Sequence, residues 1–390
     1  MACLGFGRFA FGMLLPSMAL SLNLTYSQMG LIGTGNFFGY LLSVLLSGPW
    51  IVRFGSRRLV TLGLLLVGIS MIMVSQGRNF MQVLVLYALT GFGSGVANIS
   101  TMGLVSSWFT SKKRGMAAGF IVTGSGFAII FTGRFIPFMN ALIGQEGWRI
   151  GWLLLGSLVT MVAFLSFLLM RNRPEDIGIK PLGANITQHF AHSLGPDTLH
   201  PGTVIYRKGI LYHLGAIYFF FGLTYVIYIT FIVTSLVRER GFPETIAGDF
   251  WMLVGFLSLF SGPLFGSLSD KLGRKAGLII VFILQMVSYL LVASKLPGIF
   301  LYLSIILFGI CAWSIPSIMV AAVGDYIVPL RAAEAFGFIT FIFGLGQITG
   351  PSVAGWLAEA SGGFSTSFYM SGAFAGIAIL LTTTLRKPRP

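Results

Sequence analysis

Charged residues are scarce in this chain, and acidic residues are the scarcest. Only 9% of its 390 residues are charged, while 55% are hydrophobic. Soluble domains carry about 25% charged residues, and a water-soluble protein of this size needs more polar side chains than this to cover its apolar surface. The composition therefore excludes an ordinary soluble enzyme or binding domain.

Cysteine and histidine are also rare. Cys3 and Cys311 both lie in apolar runs, and three of the four histidines fall within one polar segment. This spacing predicts neither a disulfide nor a metal site, and we expect no cofactor and no catalytic activity. The net charge of +14 raises the possibility of a nucleic-acid partner. The basic residues form short clusters between apolar runs, which is typical of membrane topology instead.

The apolar residues form twelve runs, and each is long enough to cross a bilayer, which takes about 20 helical residues. The sequence predicts an all-α integral membrane protein with twelve transmembrane helices. Their predicted spans are residues 2–22, 29–51, 59–76, 81–107, 115–140, 148–170, 209–236, 245–268, 276–294, 298–325, 332–358 and 365–385. The polar segment from 171 to 208 is predicted to be a solvated linker.

The two halves of the chain are related by an internal repeat. Gly48, Arg53 and Gly55 fall on Gly266, Lys271 and Gly273 at one offset of 218 residues. A repeated unit of this length indicates a duplicated structural unit. We therefore expect two pseudo-symmetric six-helix bundles, at residues 1–172 and 208–390, joined by a linker at 173–207.

Lysine and arginine are distributed unequally between the turns. If the N-terminus is cytoplasmic, eighteen lie on the cytoplasmic side and five on the other. Short cytoplasmic loops carry an excess of Lys and Arg. The bias predicts that both termini are cytoplasmic.

The segment Gly266 to Lys275 reads Gly-Ser-Leu-Ser-Asp-Lys-Leu-Gly-Arg-Lys and joins helices eight and nine. With twelve spans in two halves, this motif resembles the major facilitator superfamily. The first-half copy has Val52 where the family usually has an aspartate. Further stretches resemble bacterial permeases near the monocarboxylate and oxalate/formate carriers. These stretches are Gly7-Arg8-Phe9 with Leu15-Pro16, Gly147-Trp148-Arg149, Arg173-Pro174-Glu175-Asp176-Ile177-Gly178, and Gly350-Pro351 with Gly355-Trp356.

The resemblance implies the major facilitator fold. It also implies alternating access around a central site lined mainly by helices one, four, seven and ten.

Arg8 is the most informative single residue. The repeat maps it to Val226, near the middle of helix seven, so it is expected near the bilayer midplane. A charge there costs about 2.5–3.5 kcal/mol on insertion scales, and residues 1–145 contain no Asp or Glu. We predict that Arg8 faces a cavity and binds an anionic group bidentately. The alternatives are bonds to backbone carbonyls at a broken helix, or a position nearer the cytoplasmic end.

Arg134 is the second basic residue that belongs to no predicted turn. It maps to Ser352, about seven residues past the middle of its helix, or roughly 10 Å toward the exterior. It could serve as a second clamp for an anion or attract anions into an outer vestibule. The alternative is an interfacial side chain that reaches the headgroups.

Other polar side chains are candidates for the cavity lining. Tyr87, Ser94 and Asn98 share one face of helix four. The remaining candidates are Asn36, Tyr225, Tyr228, Trp313, Ser317 and Gln347. For each one alone, a helix–helix hydrogen bond or a lipid contact competes with ligand contact. A second group, predicted to act as gate charges and turns, comprises Gly266, Asp270, Lys271, Arg274, Asp325 and Arg331.

No carboxylate is expected at the midplane, so coupling through a buried Asp or Glu of the protein is not expected. A proton would travel with the anion, or the carrier would exchange one anion for another. The sequence thus predicts a monomeric secondary transporter of a small mono- or dicarboxylate in a bacterial inner membrane, in contact with lipids. The alternatives are an exporter of drugs or neutral solutes and a non-transporting membrane sensor.

Overall fold

The computed structural model describes residues 1–182, 209–294, 296–327 and 331–385. Twelve helices in these residues are long and apolar enough to cross a membrane. They are α1 (Ala2–Ser21), α2 (Tyr26–Phe54), α3 (Ser56–Ser75), α4 (Phe80–Trp108), α5 (Ser111–Ile143), α6 (Gly147–Leu169), α7 (Gly209–Glu239), α8 (Glu244–Leu272), α9 (Arg274–Ala293), α10 (Ile299–Tyr326), α11 (Ala332–Ser361) and α12 (Ser365–Thr383). The predicted all-α fold with twelve spans is confirmed.

Equivalent turns in the two halves have the same backbone geometry. Gly55 separates α2 from α3 with φ of 80°, and Gly273 separates α8 from α9 with φ of 90°. These angles are readily adopted only by glycine, which has no Cβ to clash. The two glycines are matched by the repeat, so the sequence duplication is also a structural one at these turns.

Each half is built from its own helix pairs. In the first half α4 packs against α2 and α3, and α3 packs against α6. In the second half α7 packs against α11, α9 against α12, and α10 against α8. The halves meet along three pairs: α2 with α11, α5 with α8, and α1 with α7.

The first part of the expected linker is held against the turn between α4 and α5. The Leu182 N–H donates to the Trp108 carbonyl at 2.9 Å, and the Leu182 carbonyl accepts from the Thr110 N–H at 3.2 Å. Residues 183–208 lie outside the described residues. The division at 1–172, 173–207 and 208–390 therefore stays a prediction.

Two helices are interrupted where the sequence predicts continuous ones. α1 begins as a π-helix over Ala2–Phe9 before it becomes α-helical. α10 breaks between Cys311 and Ser314, and there the Trp313 N–H donates to the Ser261 hydroxyl at 3.2 Å. π-Helical turns and mid-helix irregularities are frequent at functional sites.

Glycines bring the two halves together at one end of the molecule. A Cβ on Gly133 of α5 would lie 2.6 Å from the Gly248 carbonyl oxygen of α8, and one on Gly12 would lie 2.6 Å from the Ile229 carbonyl oxygen. Beside them, the Thr34 hydroxyl donates to the Ile348 carbonyl of α11 at 2.8 Å. We call these contacts between halves the glycine seam. The opposite end, where the turns α2–α3, α4–α5 and α8–α9 lie, is called the basic end.

The turn before α6 adds a polar contact beyond the glycine seam. The Ser21 hydroxyl donates to the Glu146 carboxylate at 2.6 Å, and Arg149 pairs with the same carboxylate. The hydrogen bond from Ser21, together with Arg149, holds the pKa of Glu146 below its usual value. The end of α1 is thus fastened to the α5–α6 turn.

Candidate functional site

A cavity of about 450 Å³ lies between the two halves. We call it the central cavity. Arg8 of α1 and Gln347 of α11 line its inner end, and Leu4, Val44 and Phe336 line it toward the basic end. From Phe336 to Gln347 is about 16 Å along a helix at ~1.5 Å per residue. The cavity thus extends from the middle of the molecule toward the basic end, while the glycine seam closes the other end.

The Arg8 side chain is buried at the inner end of this cavity, with 8% of its surface exposed. Its guanidinium carbon lies 4.2 Å from the ring centroid of Tyr40 and 4.6 Å from that of Phe37. Nε and Nη2 have no hydrogen-bond partner among the described residues, and the described lining contains no Asp, Glu or His. Arg8 therefore has aromatic support but no counter-charge.

The π-helical segment that carries Arg8 is held by α4. The Tyr87 hydroxyl donates to the Arg8 carbonyl at 3.1 Å, and the Ser94 hydroxyl donates to the Cys3 carbonyl at 2.8 Å. One helical turn further, Asn98 donates to the Tyr40 hydroxyl at 2.9 Å. The three residues share a face, as predicted, but that face contacts α1 and α2. Their structural role is to position Arg8 and Tyr40, which was the alternative interpretation for each of them.

Asn36 lies in a second, much smaller pocket beside Arg8. Its amide nitrogen donates to the Tyr87 carbonyl at 3.0 Å. Its Oδ1 atom has no partner among the described residues. This pocket of about 10 Å³ is also lined by Thr230, and its size suits about one water molecule.

The second half contributes three of the predicted residues to the central cavity. Gln347 of α11 donates a hydrogen bond to the Tyr225 hydroxyl of α7. The Trp313 ring lies 5.7 Å from the Tyr225 ring and 5.1 Å from the Phe9 ring, between centroids. Trp313 occupies the break in α10, which is the position that orients its ring into the cavity. Arg8 thus faces an aromatic wall that carries one amide and one phenol.

A cavity between two repeated six-helix halves, closed at one end, is the arrangement expected of a membrane carrier. A family described as uncharacterised MFS-type transporter YbfB matches residues 1–383 of this chain. The chain belongs to this family. It is a multi-pass membrane protein of the major facilitator superfamily, as the sequence motifs predicted.

Three relatives cover most of the transporter. A hexuronate transporter of Bacillus subtilis is 23% identical over 98% of this chain and 91% of its own length. The membrane sensor protein UhpC of Salmonella typhimurium is 25% identical over 96% and 85%. Human monocarboxylate transporter 2 is 22% identical over 90% and 75%.

Solved structures show the same fold. A bacterial homologue of the human lysosomal transporter Spinster, crystallised inward-facing and unoccupied, superposes with a TM-score of 0.76 at 16% identity. The superposition covers 98% of this chain and 94% of that one. The identity is low, so this likeness supports the major facilitator fold alone.

Two predicted lining residues lie outside the central cavity. The Tyr228 ring packs 4.0 Å from the Phe308 ring inside the second half, and its hydroxyl lies 3.0 Å from the Ser304 hydroxyl. The prediction for Tyr228 is wrong because α7 is buried on nearly every side, so its residue pattern does not single out a cavity face. Ser317 is exposed, and a Cβ on Gly262 would lie 3.3 Å from its hydroxyl. Ser317 follows the break in α10 and does not line the central cavity, so its contact with a solute stays a prediction.

Arg134 also lies away from the central cavity, at the glycine seam. Its guanidinium is 3.8 Å from the Asp249 carboxylate of α8, and the two side chains are 75% and 60% exposed. Arg134 therefore does not line the central cavity, and a role as a second clamp or in an outer vestibule stays a prediction. Asp249 of α8 is its partner at the surface of the seam.

We expect Arg134→Ala to leave the transporter nearly unchanged. An exposed ion pair at this distance contributes about 0–1 kcal/mol, and the residue does not line the cavity. Uptake rates and thermal stability in detergent should stay within about twofold and about two degrees of the wild type. A severe loss of uptake with normal stability would show that Arg134 contacts the solute in another state.

The predicted gate charges form a cluster within the second half. Arg274 of α9 pairs with Asp270 of α8, and its Nε lies 2.9 Å from the Asp325 carboxylate of α10. Lys271 is exposed, Gly266 has open space where a Cβ would be, and Arg331 lies just before α11. The cluster ties three helices of one half together at the basic end. A gating role for these six residues stays a prediction.

Substitution Arg274→Gln should lower the melting temperature more than it changes solute affinity. The side chain joins two carboxylates on different helices, and its removal leaves Asp270 and Asp325 repelling each other. At these partly exposed positions we expect a loss of about 1 kcal/mol. Thermal unfolding and an uptake titration check this; unchanged stability with a large change in apparent KM would contradict it.

Several aromatic residues that line the central cavity or the small pocket beside Arg8 were not predicted as site residues. They are Phe37, Tyr40, Tyr218 and Phe343. Tyr40 lies one helical turn after Asn36, so the spacing of four residues on α2 could have identified it. The rest lie in apolar runs, where a lining phenylalanine and a packed one have the same sequence pattern.

Proposed function

We propose that this transporter moves a small organic anion across the membrane by alternating access, and that Arg8 binds the anionic group. The observation that carries the proposal is the unpaired guanidinium of Arg8 at the inner end of the central cavity. A charge removed from water without a partner is unfavourable. An anion that binds there supplies the missing partner and can accept hydrogen bonds from both free nitrogens.

The relatives support this class of solute. The hexuronate and monocarboxylate transporters are carriers of organic anions by name, and both align with most of this chain. Their identities of 23% and 22% are too low to transfer a particular solute. The proposal for this chain therefore combines the family of carriers with the chemistry of its own cavity.

The excess of basic residues at the turns supports a cytoplasmic location for the basic end. With that orientation, the central cavity faces the cytoplasm and the glycine seam is the closed outer gate. Transport then requires the seam to open while the helices close around the cavity at the basic end. The bacterial inner membrane is the location that we propose.

The described cavity lining contains no carboxylate, so anion transport must be coupled to a proton or a second anion without one. The described acidic residues of α8 and α10, such as Glu244, Asp249 and Asp325, lie near helix ends. A proton would accompany the anion, or a second anion would return through the same site. Both modes use Arg8 alone as the fixed charge.

A second function is favoured by one relative. The membrane sensor UhpC is 25% identical and aligns with 96% of this chain. A sensor would bind the anion at Arg8 without moving it across the membrane. Binding without flux distinguishes this function from transport.

The experiment is uptake by purified protein in proteoliposomes, with a panel of radiolabelled organic anions and one neutral sugar. We expect saturable uptake of at least one anion, inhibited by unlabelled anion and absent from protein-free liposomes. Preloaded unlabelled anion separates exchange from proton symport, since exchange requires it and symport requires a pH gradient. Uptake of the neutral sugar alone would contradict the proposal, and specific binding without flux would establish the sensor function.

A further inference from the structure

The wall of the central cavity is mainly apolar, and many of its residues are aromatic. Eight aromatic residues line it, from both halves of the transporter. They are Phe9, Tyr40, Tyr218, Tyr225, Trp313, Phe336, Phe341 and Phe343. A pocket lined in this way binds apolar surface and uses few polar groups to fix orientation.

The rings form a connected wall beside Arg8. The Phe343 ring is stacked on Tyr218 at 4.3 Å and lies 6.0 Å from Tyr225, with planes 16° and 7° apart. Tyr225 meets Trp313 edge to face at 5.7 Å, and Trp313 contacts Phe9 at 5.1 Å. These separations are those of favourable ring pairs. A ring of the solute can continue the stack next to the guanidinium.

Polar groups in the described lining are few, and several are already engaged. Gln347 and Tyr225 bond to each other, and the Tyr40 hydroxyl accepts from Asn98. The Thr340 hydroxyl and the Trp313 indole N–H are buried without a partner. A sugar acid with many hydroxyl groups would lose its hydrogen bonds to water here and regain only a part of them.

Positive charge in the described lining is limited to Arg8. Arg134 does not line the cavity and pairs with Asp249 at the glycine seam. A dicarboxylate would place its second charge among aromatic rings with no cation beside it, which is strongly unfavourable. The cavity is thus matched to a single negative charge.

We infer that the solute is a monoanion with an apolar ring, that is, an aromatic monocarboxylate bound with its carboxylate at Arg8 and its ring against Trp313, Tyr225 and Phe343. This inference rests on the proposed function and narrows its solute class. The cavity is inferred to select monocarboxylates over dicarboxylates, and solutes with an apolar ring over solutes with many hydroxyl groups.

The test is competition in proteoliposomes that take up radiolabelled phenylacetate, at a pH where every competitor is ionised. Benzoate should compete about tenfold or more potently than succinate and glucuronate. The second carboxylate of succinate finds no cation beside it, and the hydroxyl groups of glucuronate lose hydrogen bonds to water that the wall only partly replaces. Lactate, a monoanion without a ring, should fall between benzoate and these two. Matched substitutions test the aromatic wall. Trp313→Leu should weaken the binding of phenylacetate about three- to tenfold. Trp356→Leu, at a ring that is 67% exposed on α11, should not.

Phe343→Leu provides a second test of the wall if Trp313→Leu is poorly folded. Three results overturn the inference. In the first, succinate or glucuronate is transported better than phenylacetate and the uptake depends on Arg8; organic-anion transport then stands while the aromatic solute class fails. In the second, phenylacetate is transported but neither Trp313→Leu nor Phe343→Leu weakens its binding. In the third, no anion is transported at all, and the proposed function fails with the inference.

Discussion

Replacing Arg8 with alanine is expected to reduce anion uptake about 10- to 100-fold, since hydrogen bonds to a charged group are worth about 1.5–3 kcal/mol. The loss should appear in the apparent affinity for the anion as well as in the rate. Stability should change little, because Nε and Nη2 make no hydrogen bond in the described residues and only the ring contacts with Phe37 and Tyr40 are lost. Uptake kinetics in proteoliposomes and a thermal unfolding curve measure the two quantities.

Two further variants separate charge from geometry. Arg8→Lys keeps the charge but lacks the planar fork that binds a carboxylate bidentately, so its uptake should be intermediate. Arg134→Ala removes a basic residue of α5 that does not line the cavity and should behave like the wild type. Full uptake by Arg8→Ala, at a normal expression level, would remove Arg8 from the mechanism.

The glycine seam is the second place where a small substitution should have a large effect on uptake. Gly133→Ala adds a Cβ that would lie 2.6 Å from the Gly248 carbonyl oxygen and 3.0 Å from the Met252 backbone nitrogen. Neither atom can move without shifting α8, so the substitution disfavours the state in which the seam is closed. We expect uptake to fall at least tenfold, because a cost of about 1.4 kcal/mol or more shifts the two states by that factor.

Gly119 on the same helix provides the matched control. A Cβ there would meet no atom within 4 Å, and Gly119→Ala gains the same helix propensity of about 1 kcal/mol. A cysteine placed at Thr340 of the cavity reports the state through labelling with a thiol reagent from the basic end. Labelling should slow in Gly133→Ala and stay unchanged in Gly119→Ala. Equal labelling and uptake in both variants would show that the seam does not control access.

The helices and the duplication could be predicted because both leave strong sequence patterns. Long apolar runs have no other explanation in a chain with so few charges, and the glycines at 55 and 273 serve the same turn in each half. Arg8 could be predicted for the same reason: a cation within a span, in a half without a nearby acid, needs a cavity. Its π-helical setting left no signal, since it depends on hydrogen bonds from Tyr87 and Ser94 across helices.

Side-chain direction was the part that the sequence could not supply. Tyr225 and Tyr228 are three residues apart on α7, yet one lines the cavity and the other packs on Phe308. Arg134 and Arg8 are both cations inside predicted spans, but the pairing of Arg134 with Asp249 depends on which helix of the other half is adjacent. Contacts between halves depend on the three-dimensional packing, so a repeat of 218 residues could not specify them.

The most direct test of the central claim compares the binding of a charged solute with that of a neutral analogue. Benzoate and benzamide have nearly the same shape, and equilibrium binding of each to the purified protein isolates the contribution of the charge. We predict that the wild type binds benzoate at least tenfold more tightly, and that Arg8→Gln binds the two with similar affinity. Equal binding by the wild type, or an unchanged preference in Arg8→Gln, would contradict the assignment of Arg8 as the anion site.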